Sequence, residues 1–276
     1  MHKRFTHLIE AIYHRPWLIT PGGYAAVKHI IDPKIKMERW EMPMPAKMEY
    51  ERPEMEVDEN NIAHICVEGT MAKGISQIEA ICGGYDYEWL EEDLETVARL
   101  GVKGVFMEFD SPGGSCEGNA ECTELIQDLA RRVPVVAYSD GTCASAAYNM
   151  AASCSKIYGS PSSTWGSIGT IIPWVDESQM WAGQGLNWQP ITNAEGDLKG
   201  AGMGPTLSAA QRASLQEYCQ DAFEQFRGNV LRNRRVPAEA MRGQAFFAPR
   251  ALENNLIDGL MTEQAAYEKL LAMLKK

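Results

Sequence analysis

The residues best suited to chemistry are a serine set among small side chains and a lysine alone in a glycine-rich stretch. Ser139-Asp140-Gly141-Thr142-Cys143-Ala144-Ser145-Ala146-Ala147-Tyr148 places Ser145 where a helix is predicted to begin. At a helix start, unpaired N–H groups and the macrodipole stabilise developing negative charge, and small neighbours leave room for a substrate backbone. Serine is equally a favoured helix N-cap, and the local sequence admits both roles. An attacking serine needs a base. All five histidines lie at or before His64, which sits inside the strand-like IAHICVE, where a packed or solvent-facing ring is the simpler reading. Lysine serves as base when burial and apolar neighbours lower its pKa. Between positions 104 and 268 the only lysines are Lys156 and Lys199. Lys156 opens a strand-like segment, where it caps an edge or meets solvent. Lys199 lies in Glu195-Gly196-Asp197-Leu198-Lys199-Gly200-Ala201-Gly202, a loop able to enter a cleft; the plain alternative is a solvated surface charge.

A second loop, Asp110-Ser111-Pro112-Gly113-Gly114, ends an apolar run. Paired glycines let backbone N–H groups face outward and form a nest for an oxyanion, or they simply turn a strand into a helix.

These loops need a scaffold. Strand-like and helix-like segments alternate: Asn61–Val67, a helix over 87–100, Gly104–Phe109, a helix over 118–131, Val133–Tyr138, a helix over 145–152 and Ser155–Tyr158. That alternation predicts an α/β fold with a mainly parallel sheet, whose sites gather where strands end and helices begin. From Leu207 to Arg235 the spacing predicts one long helix, followed by shorter ones at 249–255 and 263–274. Upstream, short helices are read at 4–14 and from Tyr24 to Ile31, before Pro33, and the proline- and charge-rich 33–55 reads as an extended arm. The division is therefore an amino-terminal arm and linker over 1–55 and a compact domain over 56–276.

Composition narrows the class. A net charge of -11 argues against a nucleic-acid partner. No apolar run reaches the roughly 18 residues of a membrane span, and the amino-terminal stretch is too broken by charge for a signal peptide, so a cytoplasmic protein without a membrane anchor is expected. Seven cysteines, an odd number with no CxxC pair, suggest neither disulfides nor a metal site.

Taken together, the segments resemble the signal-peptide-peptidase-A (SppA-like) family of Ser/Lys peptidases in the ClpP/crotonase superfamily. FDSPGG (109–114), ASAAY (144–148), Gly166-Ser167-Ile168-Gly169, GDLKGAGMGPTLS (196–208) and GQAFFAPRALENNLIDG (243–259) occur in the family's order. Ala146 and Ala147 replace the usual glycines, Gln244 stands where arginine is frequent, and Asn255 where glycine is. RPWLITPGG and Cys82-Gly83-Gly84-Tyr85 resemble the bacteriophage branch, the capsid or prohead maturation proteases. The resemblance implies a ClpP/crotonase-like repeated β-β-α core with a helical carboxy-terminal part. It also implies a serine endopeptidase with Ser145 as nucleophile, Lys199 as base, Ser167 orienting the lysine, Gly113 and Gly114 forming the oxyanion hole, and no cofactor. A polypeptide substrate such as a scaffold, capsid or portal protein, a homo-oligomer, and a place in the host cytoplasm or the phage prohead follow from the same likeness. Three alternatives stay open: a cytoplasmic bacterial peptidase degrading peptides, a non-proteolytic assembly factor, and a crotonase-like acyl-CoA enzyme.

Overall fold

The structure, a computed structural model, describes residues 16–35, 52–187, 189–202 and 206–275. The helix read at 4–14 and most of the arm at 33–55 lie outside these residues. Along the chain run β1 (Trp17–Ile19), α1 (Pro21–Ile35), β2 (Glu56–Val57), β3 (Ile62–Glu68), β4 (Thr70–Ala72), α2 (Gln77–Ile81), β5 (Gly84–Asp86) and α3 (Tyr87–Leu100). The α1 helix continues two residues past Pro33, because a proline in a last turn forfeits one N–H bond close to the helix end. Then come β6 (Gly104–Asp110), β7 (Gly113–Ser115), α4 (Asn119–Ala130), β8 (Val135–Ser139), β9 (Thr142–Ala144), α5 (Ala146–Ala151), β10 (Lys156–Gly159) and β11 (Thr164–Gly166). The carboxy-terminal part holds α6 (Ser178–Gly183), α7 (Ala209–Asn233), β12 (Ala245–Phe247), α8 (Ala248–Glu253), β13 (Gly259–Leu260) and α9 (Glu263–Met273).

A long strand, a short strand and a helix recur as one unit: β6-β7-α4, then β8-β9-α5. The long strands form a six-stranded sheet in the order β13-β10-β8-β6-β3-β2, parallel except where β2 meets β3. Its central strands carry helices or second-layer strands on both faces, so β8 is buried at every position and reads as a continuous apolar run. On one face Phe106, Val136 and Tyr138 pack with Ala266 and Leu270 of α9. On the other, Val105, Met107 and Val135 join a larger core with Leu90, Leu94 and Val97 of α3. The α3 helix starts where the Asp86 carboxylate accepts the Glu88 N–H and stops at Gly101, whose φ of 65° suits a residue without a side chain.

The short strands form two smaller sheets, β1-β7-β4-β5 and β12-β11-β9, joined by a bridge between Ser111 and Cys143. Three-residue strands flanked by Gly, Pro and Ser carry too little period to be told from turns: β7 and β9 sit in what the sequence offered as loops, and β4, β11 and β12 in segments where it offered no strand. The segment read as an amino-terminal arm supplies one of them: Trp17, Leu18 and Ile19 face Ser115, Gly114 and Gly113 in antiparallel register.

Candidate active site

Ser145 follows β9 directly and stands at the N-cap of α5, with φ 56° and ψ −117° and no side-chain capping bond. A serine gains nothing as a cap in that conformation, and a non-glycine residue held at positive φ marks stored strain of the kind found at sharp strand-to-helix turns carrying nucleophiles. The backbone around it is firmly tied. Ser145 N–H donates to Gly166 O at 2.7 Å, and Asn149 N–H donates to Ser145 O at 2.9 Å. Its hydroxyl is buried and has no hydrogen-bond partner among the described residues.

The α5 helix is locked from behind by buried amides. Asn119 donates to Ala146 O at 3.0 Å, Asn149 donates to Asn119 Oδ1 at 2.6 Å, and Asn229 of α7 donates to Asn149 O at 2.9 Å and to its Oδ1 at 2.8 Å. A satisfied polar chain of this kind fixes the helix start more tightly than apolar packing alone.

The loop 110–114 is stitched to β9, the strand that leads into Ser145. Ser111 N–H donates to Thr142 O at 2.6 Å, Ala144 N–H donates to Ser111 O at 3.1 Å, and Asp110 Oδ1 accepts Thr142 N–H at 2.9 Å. Gly113 therefore lies against Ser145: a Cβ on Gly113 would meet Ser145 Cβ at 2.8 Å and Leu18 O at 2.1 Å, and φ there is 107°. A Cβ on Gly114 would meet Met71 O at 2.0 Å. Both positions exclude any side chain. Gly113 N–H is accepted by Ser111 Oγ at 3.2 Å, and that hydroxyl donates to Gly69 O at 2.6 Å. Ser111 was quoted in the sequence only as part of the turn; nothing in its spacing marked it as the group that receives the Gly113 N–H.

The parallel register of β9 and β11 pairs Ala144 with Gly166, which brings Ser145 and Ser167 level as the next residues of each chain. Ser167 is buried, with φ 52°, and its N–H donates to Gln244 O at 2.9 Å. It lines a cleft of about 550 Å³ together with Ile19, Pro21, Thr170, Cys219 and Phe223.

Lys199 stands apart from this group. It lies in a 3₁₀ segment, Ala194–Gly200, that is mostly exposed and rests on the start of α7 through a Gln211 side chain donating to Asp197 O at 3.1 Å. The sequence thus places Ser145, Gly113, Gly114 and Ser167 in one neighbourhood, and Lys199 outside it.

The competing bases are engaged elsewhere. Lys156 Nζ lies 3.1 Å from Asp258, which also holds Arg234 at 2.8 Å. Burial alone would raise the Asp258 pKa, but the Arg234 hydrogen bond and charge, with the Ile157 N–H and Lys156, keep it below the usual carboxylate range. His64 Nε2 sits 3.1 Å from Asp58, with its ring against Phe106 and Tyr267. None of the seven cysteines is in a disulfide, and Cys143, on β9 two residues before Ser145, has its thiol pushed far up by burial. Among the described residues no His, Cys, Asp and Glu cluster is arranged to hold a metal, and no helix is long and apolar enough to cross a membrane.

A repeated β-β-α core of this kind defines a ClpP/crotonase-like fold. The profile of peptidase family S49 matches residues 127–276, and the chain belongs to that family. It is 25% identical over 287 residues to the head-tail preconnector protein GP5 of Enterobacteria phage P21, across 96% of this chain and 57% of that protein. It is 28% identical over 179 residues to a signal peptide peptidase SppA candidate of Enterococcus faecium, across 61% of this chain and 50% of that protein. The chain thus spans about half the length of these relatives. A solved structure of the 1510-N membrane-bound stomatin-specific protease, in mutant form, matches with a TM-score of 0.41 at 11% identity over 77% of this chain and 85% of that one.

Proposed function

We propose that the chain is a serine endopeptidase with Ser145 as nucleophile and Lys199 as general base. The observation that carries this reading is Ser145, held at positive φ with its Cβ against Gly113 and its hydroxyl buried without a partner among the described residues. Lys199 takes the Ser145 proton as Oγ attacks a peptide carbonyl, and N–H groups of the Gly113-Gly114 turn receive the oxyanion. The C–N bond breaks, the amine leaves with that proton, and an acyl-enzyme remains. Water then adds to the ester, giving its proton to Lys199, and the carboxylate product is released with Ser145 restored. Ser167, level with Ser145, orients the lysine.

This reading requires the loop carrying Lys199 to swing over the cleft when substrate binds or subunits associate. Its support is chemical: Lys156 and His64 each already hold a carboxylate, which leaves Lys199 as the uncommitted one of the two described lysines between 104 and 268. Self-association supplies such a step. The α7 helix buries only Phe226, Asn229 and Val230 along 25 residues and exposes Tyr218 and Leu231, a surface that fits a second copy.

The likeness to a phage protein named for the head-tail preconnector supports a substrate among the scaffold, capsid or portal proteins of an assembling head, with action in the host cytoplasm or the prohead. The test co-expresses the chain with its neighbouring structural proteins and maps new termini by mass spectrometry, for the parent chain, Ser145→Ala and Lys199→Ala. Cleavage lost in both variants supports the dyad. Full cleavage in either one sinks it.

A further inference from the structure

The strand position beside Ser145 is already filled by the chain itself. β1 runs between two backbone edges. On one side Trp17 N–H donates to Ile171 O at 2.7 Å and Ile171 N–H donates to Trp17 O at 3.0 Å. On the other, Thr20 N–H donates to Pro112 O at 2.9 Å and Cys116 N–H donates to Pro16 O at 3.4 Å, with Leu18 facing Gly114 midway between them. The alternation of an antiparallel ladder then makes Leu18 and Gly114 the pair that exchanges both bonds, so Gly114 N–H points at the Leu18 carbonyl. Pro16 and Pro112, which have no N–H, supply only the acceptor in their pairs, so the two end pairs of this ladder are held by one bond each.

That carbonyl has a second neighbour. The vacant Cβ position of Gly113 is flanked by Leu18 O at 2.1 Å and by Ser145 Cβ at 2.8 Å. An extended chain thus passes the serine with one carbonyl turned toward it and toward a backbone N–H of the diglycine turn. Peptides that bind by strand addition are held in this way, by main-chain bonds along both edges. The side chains of Trp17, Leu18 and Ile19 are all buried, as is the Ser145 hydroxyl. After Thr20 the chain turns into α1 at Pro21, and the cleft lined by Ile19, Pro21 and Ser167 continues the groove beyond it.

We propose that Trp17–Ile19 occupies the position of the substrate strand, with the Leu18 carbonyl standing where the attacked carbonyl belongs. The inference rests on Ser145 as the nucleophile. A substrate must displace β1 before it is cut, and the groove selects extended apolar segments, since it takes Trp, Leu and Ile side chains out of water.

The experiment measures binding of a fluorescein-labelled peptide of residues 14–23 to the full chain carrying Ser145→Ala, alone and combined with Leu18→Pro, which removes the N–H that β1 gives to Gly114. Peptide binding tightened on the order of tenfold or more in the double variant supports the proposal, as one or two lost ladder bonds unblock the groove. Equal affinity in the two chains overturns it. Hydrogen exchange of the unmutated chain tests the same point without a substitution. Amides of Trp17, Leu18 and Thr20 that exchange about tenfold faster than those of Val105–Phe109 when the peptide is in excess support displacement, and rates indistinguishable from that core strand overturn it. Fluorophosphonate labelling mapped to its residue separates the two readings. Displacement of β1 with labelling anywhere but Ser145 sinks the nucleophile and leaves the groove, whereas labelling of Ser145 with β1 immovable does the reverse.

Discussion

Ser145 and Ser167 end two neighbouring parallel strands at the same level, and both are held at positive φ, 56° and 52°. The pairing places two serines side by side, Ser145 with its Cβ against the Gly113 turn and Ser167 in the lining of the cleft. A nucleophile and a group to steady its base need that spacing, and the register of β9 with β11 supplies it through backbone bonds alone. Replacing Ser167 by Ala is expected to lower kcat about tenfold to a hundredfold with little change in KM, since the hydroxyl positions a base and does not bind the peptide. Steady-state kinetics on a fluorogenic peptide check it, and Ser167→Thr is expected to recover part of the loss.

Ser145→Ala and Lys199→Ala are each expected to reduce kcat/KM by about a thousandfold or more, and their combination by scarcely more than either alone, because a nucleophile and its base act as a unit. Thermal melts of the two variants should match the parent within a few degrees. A double variant whose loss equals the product of the single losses would separate the two residues.

Gly113→Ala is expected to destabilise the fold by about 2–4 kcal/mol and abolish turnover, since its Cβ would lie 2.1 Å from Leu18 O and its φ of 107° is closed to other residues. Urea denaturation measures the first and peptide cleavage the second. Parent-like stability would mean that the turn relaxes.

Replacing Asn229 by Leu leaves the buried Asn149 carbonyl and amide without their donor and is expected to cost about 2–4 kcal/mol. The helix that positions Ser145 is loosened by the same change, so fluorophosphonate labelling should slow in native conditions. Labelling at the parent rate would show that α5 holds its place without α7.

Asp58 gives a pH test away from the site. Burial would raise its pKa, but hydrogen bonds from Tyr267, the Ile62 N–H, His64 and the Asn60 N–H outweigh it and lower the carboxyl from 3.8 to about 2. A carboxyl depressed in the folded state contributes stability that is fully present above its ordinary value and is lost as pH falls through the folded one. With its partial exposure discounted, Asp58→Asn should cost about 1–2 kcal/mol at neutral pH and almost nothing near pH 2. Chemical denaturation at a series of pH values reads the difference.

Long elements were legible in the sequence because their periods outlast their ends: α3, β6, α4 and β8 appear within a residue or two of where Trp89, Leu94, Phe106 and Ile126 place them. The diglycine turn and Ser145 were legible as motifs, because backbone close approach and a helix start restrict residue type, whereas Ser167 was singled out only by the family resemblance. Two things were hidden. Trp17–Ile19 is three apolar residues between prolines, and its strand character comes entirely from partners at 113–115 and 171. The place of Lys199 is set by an exposed, glycine-rich segment tied to α7 by the Gln211 bond to Asp197 O, a contact that no local sequence pattern announces.

The floor under the nucleophile is assembled from distant parts of the chain. β9 rests on β11, β11 pairs in turn with β12 at 245–247, Ser167 is pinned by Gln244, and Tyr148 of α5 hydrogen-bonds Leu256 O at 2.9 Å. During synthesis, the serine emerges from the ribosome some hundred residues before the pieces that hold it in its strained turn. A nascent or truncated chain therefore carries the hydroxyl without the geometry, and the capacity to react arrives as a final act of folding.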